Sequence, residues 1–321
     1  MTSHTNTSTP VNNRPVLQSL ELFDPDALSE AVQSSSFEHV QLEHGCFHAQ
    51  LKHIDLGSLK IDSGCYTRKV IARGEFPSDT VILGCVLDSR EEGSINGYRF
   101  RQNDIVIFPD GAELDYIQPA ATTWCAVQLP VNLLAEIGCT ERTPNRIKVL
   151  PGNLHLAQLM GYFVNTQISD FSASVTKPSQ LHPFTDEDLL DQIKQVLDGY
   201  SSEDSISRRP SLHNRMAVIR QFERKVRERI DTVLRIPELC TELGVTNRVL
   251  EYLFKEEIGM TPKQYSNLLR LHAARQELVQ RNAENLTIKQ IAQCYGISHL
   301  GRFSAAYLRQ FGELPSETLR R

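Results

Sequence analysis

A pattern that occurs twice between Arg235 and Arg321 most constrains what this chain can fold into. The first copy, IPELCTELGVTNRVLEYLFKEEIGMTP, begins at Ile236. The second, IKQIAQCYGISHLGRFSAAYLRQFGELP, begins at Ile288. Gly244 corresponds to Gly296, Val245 to Ile297 and Thr246 to Ser298. Further on, Leu250 corresponds to Phe303, Phe254 to Tyr307, Gly259 to Gly312 and Pro262 to Pro315. The offset grows by one residue inside the second turn. Each copy reads as a short helix, a turn at a glycine and a longer helix. Leu239, Leu243, Leu250, Leu253 and Phe254 fall where two crossing helices bury their facing sides. Cys240 and Ala292 are small enough to let those helices approach. Thr246 and Ser298 stand where the second helices need N-caps. Such a unit is a helix-turn-helix, whose second helix fits a major groove. One such hairpin is a common pattern, whereas two in register, each closed by Gly-x-x-Pro, are far more specific.

Residues 262–280 join the copies without an internal glycine or proline, with apolar residues at helical spacing (Tyr265, Leu268, Leu269, Leu271, Ala274). A helix of that length spans ~27 Å at ~1.5 Å per residue. Successive major grooves on one face of a duplex lie about 34 Å apart. A rod of this length suits two reading helices on adjacent grooves; the plainer alternative is an ordinary bundle helix.

The net charge of −5 over 321 residues hides an asymmetry. Residues 211–321 carry 18 Lys and Arg against 12 Asp and Glu, a balance of +6, which leaves −11 for the rest. A basic C-terminal part beside an acidic N-terminal part suits contact with phosphates. No run of eighteen apolar residues predicts a membrane span. The polar start MTSHTNTSTPVNNRP lacks the apolar core of a secretory signal and reads as a disordered tail over 1–17. Seven widely spaced cysteines, none in a CxxC pair, argue against disulfides or a zinc ribbon and fit a reducing cytoplasm.

The region from about 46 to 130 reads as short strands: LKHIDLGSLKID, YTRKVIARGEF, TVILGCVLD, YRFRQNDIVIFPD and TTWCAVQL, punctuated by Gly, Asp, Asn and Pro. Asn96-Gly97 is a hairpin signal, while the run Gly93 to Gly97 reads as loop. Regular short strands imply an antiparallel barrel or jelly roll. Pro109 and Gly111 match the second cupin motif, with Asn103 in the position of its first glycine, but Leu114 stands where that motif places a metal-binding histidine. An apolar side chain cannot ligate a metal, which disfavours a catalytic metal cupin. His44, Cys46, His48 and His53 cluster in sequence, but His53 falls on the opposite strand face from Cys46 and His48, so no metal is expected. Arg68, Phe108 and Trp124 are the candidate contacts for a small ligand: the rings as flat apolar walls, the arginine as partner to an anion. Plain core or surface roles are the alternative for each.

Helical spacing returns in LHLAQLMGYFVNTQISDF and DEDLLDQIKQVLDGY, the second with Asp186 and Glu187 where the helix dipole favours them. The polar run SSEDSISRRPS reads as linker. The organisation expected is therefore α+β with two domains. After the tail comes an N-terminal domain over 18–200 (barrel about 46–130, helices about 131–200). A linker over 201–214 leads to an all-α domain over 215–321 with helix-turn-helix units at 236–257 and 288–311. The basic run RMAVIRQFERKVRERI opens this last domain, either flanking phosphates or forming a solvated face.

The Leu250-x-x-x-Phe254 pair, EEIGMTPKQY, RLHAARQEL, IKQIAQCYGIS and the closing FGELPSETL make the C-terminal hundred residues resemble the DNA-binding domain of AraC/XylS-type transcription regulators. SHLGRFSAAY is most similar to the subgroup containing the ethanolamine-operon regulator, and FHAQL from Phe47 is a faint N-terminal echo of it. The resemblance implies a non-enzymatic regulator in the cytoplasm with no cofactor. Its cupin-like barrel would bind a small-molecule effector, and the helices after the barrel would make a homodimer. Promoter DNA and RNA polymerase would be its partners. Asn247, Arg248, Glu251 and Tyr252 project away from the apolar face of the first unit, and the last three match base-facing family positions. Arginine can donate two bonds to guanine and glutamate can accept from cytosine. His299 and Arg302 are the readers expected in the second unit. There, Ala305 and Leu308 replace the basic residues common in the family, so this unit is expected to read fewer bases. Lys255, Thr287, Lys289, Ser298 and Arg309 are the candidate phosphate contacts, aided by helix N-terminal amides. Two other readings compete: a metal-dependent cupin enzyme fused to a helical domain, and an architectural DNA binder without a ligand.

Overall fold

A computed structural model of the chain describes residues 16–31, 36–139, 145–166, 185–199, 210–232, 235–280 and 286–320. The N-terminal part is built on two antiparallel sheets. The larger has the spatial order β1 (Val16–Leu22), β3 (Ala49–Asp55), β4 (Lys60–Tyr66), β11 (Thr123–Pro130), β6 (Thr80–Asp88), β9 (Ile105–Phe108) and β12 (Lys148–Leu150). The smaller runs β2 (Ser36–Gln41), β5 (Val70–Glu75), β10 (Glu113–Gln118), β7 (Gly93–Ile95) and β8 (Tyr98–Phe100). The two hydrogen-bond ladders are separate, so of the barrel or jelly roll expected the strands form two facing sheets and not a closed barrel.

Side-chain alternation explains the layers. On β9, Ile105 and Ile107 join one apolar cluster and Val106 and Phe108 another; on β11, Cys125, Val127 and Leu129 alternate in the same way with Trp124 and Ala126. A strand period of two sends these sets to opposite faces. The outer face of the large sheet is covered by α2 (Val131–Glu136), α3 (Leu154–Thr166) and α4 (Asp186–Asp198). These helices bury Leu134, Leu156, Met160, Phe163, Leu189, Ile193 and Leu197 there. Thr185 and Asp188 form a capping box at the start of α4, with Asp186 and Glu187 in its first turn. The apolar stripes of α3 and α4 are thus occupied by their own sheet, not left free for a second copy.

Several boundaries differ from expectation. Val16 and Leu17 belong to β1, not to the tail, and residues 1–15 lie outside the described residues. The strands β1 and β2 precede the expected start near residue 46, and Gly93–Ile95 is a strand although it reads as loop. It pairs with β8 through the Asn96-Gly97 turn, whose φ values of 48° and 83° are those of a type I′ hairpin. A helix, α5 (Pro210–Glu228), begins inside the expected linker; residues 201–209 lie outside the described residues.

The C-terminal part continues with α6 (Ile236–Leu243), α7 (Asn247–Glu257), α8 (Pro262–Val279), α9 (Ile288–Cys294), α10 (Leu300–Phe311) and α11 (Pro315–Thr318). Met216, Ile219, Phe222 and Val226 of α5 form one core with Leu250 and Phe254 of α7 and Leu268 and Leu269 of α8. Val40, Ile71 and Ile117 from the outer face of the small sheet complete that core. The second helix-turn-helix has its own core of Ala274, Leu278, Ile291, Ala292, Phe303, Tyr307 and Phe311.

The basic run of α5 is mostly engaged within the protein. Arg220 meets Asp115 of β10 at 3.1 Å, and Arg227 meets Glu38 of β2 at 2.7 Å. Arg73 of β5 bridges Asp115 and Glu223. Lys225 and Arg229 share Glu242, while Arg224 pairs with Glu228 near solvent. Farther along, Arg275 of α8 is buried among Asp24, Asp26 and Glu313. Among the described residues no helix is long and apolar enough to cross a membrane.

Burial, aided by the neighbouring Asp24, pushes the Asp26 carboxyl up to about 7 although Arg275 opposes it. A carboxyl raised on folding contributes stability that is complete below its unfolded value, near 4, and is lost as pH rises through about 7. Asp26→Asn keeps the neutral shape at every pH. It is therefore expected to raise Tm, by about 2–4 °C per kcal/mol recovered, with a larger gain at pH 8 than at pH 5. Paired melting curves test this; an equal gain at both values, or a loss at pH 8, contradicts it.

Candidate nucleic-acid interface and buried cavity

Both turns of the repeat pivot on a left-handed glycine. Gly244 and Gly296 take φ of 66° and 69°, the left-handed region that glycine enters without penalty. Val245 N–H donates to the Cys240 carbonyl at 3.0 Å and Ile297 N–H to the Ala292 carbonyl at 2.9 Å. Cys240 and Ala292 are buried, as their small size suggests.

The caps differ. Thr246 accepts from Val249 N–H at 3.3 Å and caps α7. Ser298 does not cap α10; the N-cap is His299, whose side chain makes no cap bond. The extra residue in the second turn explains the shift. Leu250 N–H donates to Thr246 O, and Phe303 N–H, the equivalent donor, reaches back to His299 O.

The second helix of each unit turns one stripe inward. Leu250, Leu253, Phe254 and Glu257 are buried on α7, and Phe303, Tyr307, Gln310 and Phe311 on α10. Asn247, Arg248, Glu251, Tyr252 and Lys255 are exposed on α7, as are Arg302 and Arg309 on α10. Tyr252 is braced by Arg215, whose guanidinium lies 5.4 Å from the ring centre. His299, Ser298, Lys289 and Thr287 are exposed too. The Thr287 hydroxyl, however, accepts from Gln290 N–H at 3.3 Å and donates to Gln290 Oε1 at 2.8 Å, so it is committed to capping α9. Val249, Leu300 and Leu308 are also exposed on these helices. Val249 and Leu300 are apolar residues among exposed polar neighbours, a signal that is present in the sequence.

The C-terminal ends of both α7 and α10 are held by the N-terminal part. Glu257, in the last turn of α7, is buried between Arg99 of β8 at 3.1 Å and Arg215 at 3.3 Å. On α10, Gln310 donates to Gln41 O at 2.9 Å, and its carbonyl accepts from Gly45 N–H and Gln41 Nε2, each at 3.0 Å. His44 Nδ1 closes on Gln310 Oε1 at 2.7 Å. His44 and His53 have separate duties, the latter bonded to Asp62 at 2.5 Å. No group of three or more potential metal ligands occurs among the described residues.

The second site is a cavity of about 90 Å³ between the two sheets. Phe108 and Trp124 line it, as does Leu114; Arg68 does not, and lies beside Gly45. Trp124 reaches its place over Gly64, where any Cβ would come within 2.8 Å of the indole ring. His39, Tyr116 and Gln118, which the sequence reading did not single out, also line the cavity. Burial pushes His39 down to about 4 and the Tyr116 hydroxyl well up, so both are neutral at physiological pH.

Comparison with known proteins locates the strongest likeness in the helical part. Residues 239–321 match the family model described as "Helix-turn-helix domain". The chain is 37% identical over 103 residues to the xylDLEGF operon transcriptional activator 1 of Pseudomonas putida, covering 31% of each protein. It is 33% identical over 87 residues to a probable thc operon regulatory protein of Rhodococcus erythropolis, covering 27% of this chain and 26% of that one. The matched segments thus span about a third or less of those relatives. A solved AraC-type transcriptional regulator from Chromobacterium violaceum is 30% identical over 33% of this chain and 91% of that one, with a TM-score of 0.31.

Proposed function

From the premise that residues 239–321 are a helix-turn-helix domain homologous to XylS/AraC-type regulators, we propose that the whole protein is a transcription regulator. It binds promoter DNA through α7 and α10 and responds to a small molecule held between its N-terminal sheets. The observation that carries this reading is the duplicated turn geometry, with charged and polar residues exposed opposite each buried stripe. Arg248, Glu251 and Tyr252 read bases from α7, with Asn247 beside them. Arg302 reads from α10, with His299 at its start. Val249 and Leu300 suit thymine methyl groups. Lys255, Lys289 and Arg309 contact phosphates; Ser298 and Thr287 contribute through backbone amides.

The small sheet supports the regulatory part. Phe37, His39, Ala72 and Tyr116 face the cavity, while Glu38, Val40, Ile71, Arg73, Asp115 and Ile117 contact the helical part. A ligand filling one face therefore bears on strands that pack directly against α5 and the first helix-turn-helix. Arg99 and the segment from Gln41 to Gly45 hold the ends of both reading helices. Such an interface can bias a two-state orientation only if the ligand binds the two states with different affinity. A cupin-like ancestry for the two sheets, membership of the ethanolamine-operon-regulator subgroup, a homodimer, RNA polymerase as a partner and a cytoplasmic place belong to the same proposal. A dimer would use surfaces other than the buried stripes of α3 and α4.

If about five phosphates are neutralised per monomer, log affinity falls with log salt at a slope near −4.5. Lys255→Ala is expected to weaken all duplexes alike and to make that slope shallower by about 1. Fluorescence anisotropy across a salt series on two unrelated duplexes checks it. A loss confined to one sequence would remove Lys255 from the phosphate set.

A further inference from the structure

The cavity between the sheets is apolar over most of its wall, yet four polar atoms of its lining residues lack partners. These are His39 Nδ1, the Tyr116 hydroxyl, Gln118 Oε1 and Trp124 Nε1, all buried and without a partner in good hydrogen-bond geometry among the described residues; His39 is aided only by the backbone of Phe37. Burying a polar group without a partner is costly, so several on one cavity wall call for a bound species. Strand register groups three of them on the small sheet, with Trp124 facing them from β11. His39 and Tyr116 each pair across Ala72, one from either side, so the two polar groups flank a methyl. Gln118 lies one inward position farther along β10, and its amide donates to Thr122 O at 3.1 Å, which leaves the oxygen as the free acceptor.

The charges of the wall are already used. Asp62 accepts from Gln128 at 2.5 Å and is bonded to His53. Asp104 accepts backbone N–H groups from Arg101 at 2.8 Å and Gly152 at 3.0 Å. No lysine or arginine is among the described residues that line the cavity. An anion would find no cation, a cation would find no free carboxylate, and burying either unpaired is costly. The remaining wall is aromatic, with Phe76 and Phe108 rings 4.8 Å apart and Trp124 against Tyr66. We infer that the effector is a single uncharged, ring-sized molecule. Its faces lie on the aromatic wall and its hydrogen-bonding edge meets His39, Tyr116 and Gln118. This inference rests on the reading of the sheets as an effector domain.

The test uses the full chain and four probes of one size: benzamide and benzyl alcohol, which are neutral, and benzoate and benzylammonium, which are charged. Calorimetric titration and thermal shift at millimolar probe are expected to show a neutral probe binding at least tenfold tighter than either ion. Tyr116→Phe should weaken the neutral probe several-fold, and Ala72→Leu, which grows into the cavity, should abolish binding. Tyr116→Phe changes no volume beyond one oxygen, so it remains informative if Ala72→Leu fails to fold. A charged probe binding as tightly as the neutral ones, and displaced by Ala72→Leu, overturns the uncharged class while leaving an effector site in place. Binding by none of the four overturns both this inference and the effector reading.

Discussion

Arg275→Ala is expected to destabilise the protein by about 3–5 kcal/mol, the range for breaking a buried ion pair from one side. The Arg275 side chain is 2% exposed and meets Asp24 at 2.7 Å. It also donates to Glu313 and to the Tyr307 hydroxyl, and packs its guanidinium 4.9 Å from the Phe311 ring centre. Removing it leaves carboxylates gathered around an empty site, and it unties three parts of the chain at once: the segment after β1, α8 and the closing α11. Arg275→Lys should recover only part of the loss, because an ammonium restores the charge without the planar fork. Urea unfolding measures both. A loss under ~1 kcal/mol for the alanine variant would mean that the carboxylates find other partners, and the tie would not be structural.

The second large effect concerns DNA. Arg248→Ala and Arg302→Ala are each expected to cost about 1–3 kcal/mol of binding to a preferred sequence and to relax preference at one base step. The two helices lie in separate helix-turn-helix units with separate apolar cores, so the double variant should lose close to the sum. Both arginines are exposed and outside the buried stripes, so these variants should melt like the parent protein. Binding measured against a randomised duplex pool checks this. Unchanged preference at every position for either variant would remove that residue from the reading set.

The helical part was legible because its signals are local. A glycine turn, a threonine cap and a stripe at i, i+3 and i+4 are written within a dozen residues, and they placed α6 to α10 to within a residue or two. Within the second unit the miss, Ser298 for His299 as the cap of α10, came from assigning the extra residue to the wrong side of the turn. The sheets were harder to read. In β10 the alternation of Glu113, Leu114, Asp115 and Tyr116 breaks at Ile117, which leaves only four residues in period, and three-residue strands such as Gly93–Ile95 and Lys148–Leu150 carry too few residues for a period. Phe108 and Trp124 reached the cavity as expected from their size. Arg68 did not, because nothing in its neighbourhood of sequence says which way a loop side chain turns. His39, Tyr116 and Gln118 were invisible for a different reason: their meaning is the absence of a partner, which only the packed sheets reveal. The basic run of α5 likewise required the fold, since Glu38 and Asp115 lie far from it in sequence.

The central claim is that two copies of one wedge, held by α8, grip a single duplex together. Hydroxyl-radical footprinting of the full-length protein on a fragment recovered with it tests this most directly. Two protected patches on one face, about 10–10.5 base pairs apart, are the predicted result. One patch alone, patches on opposite faces, or no protection even in dilute salt would contradict it.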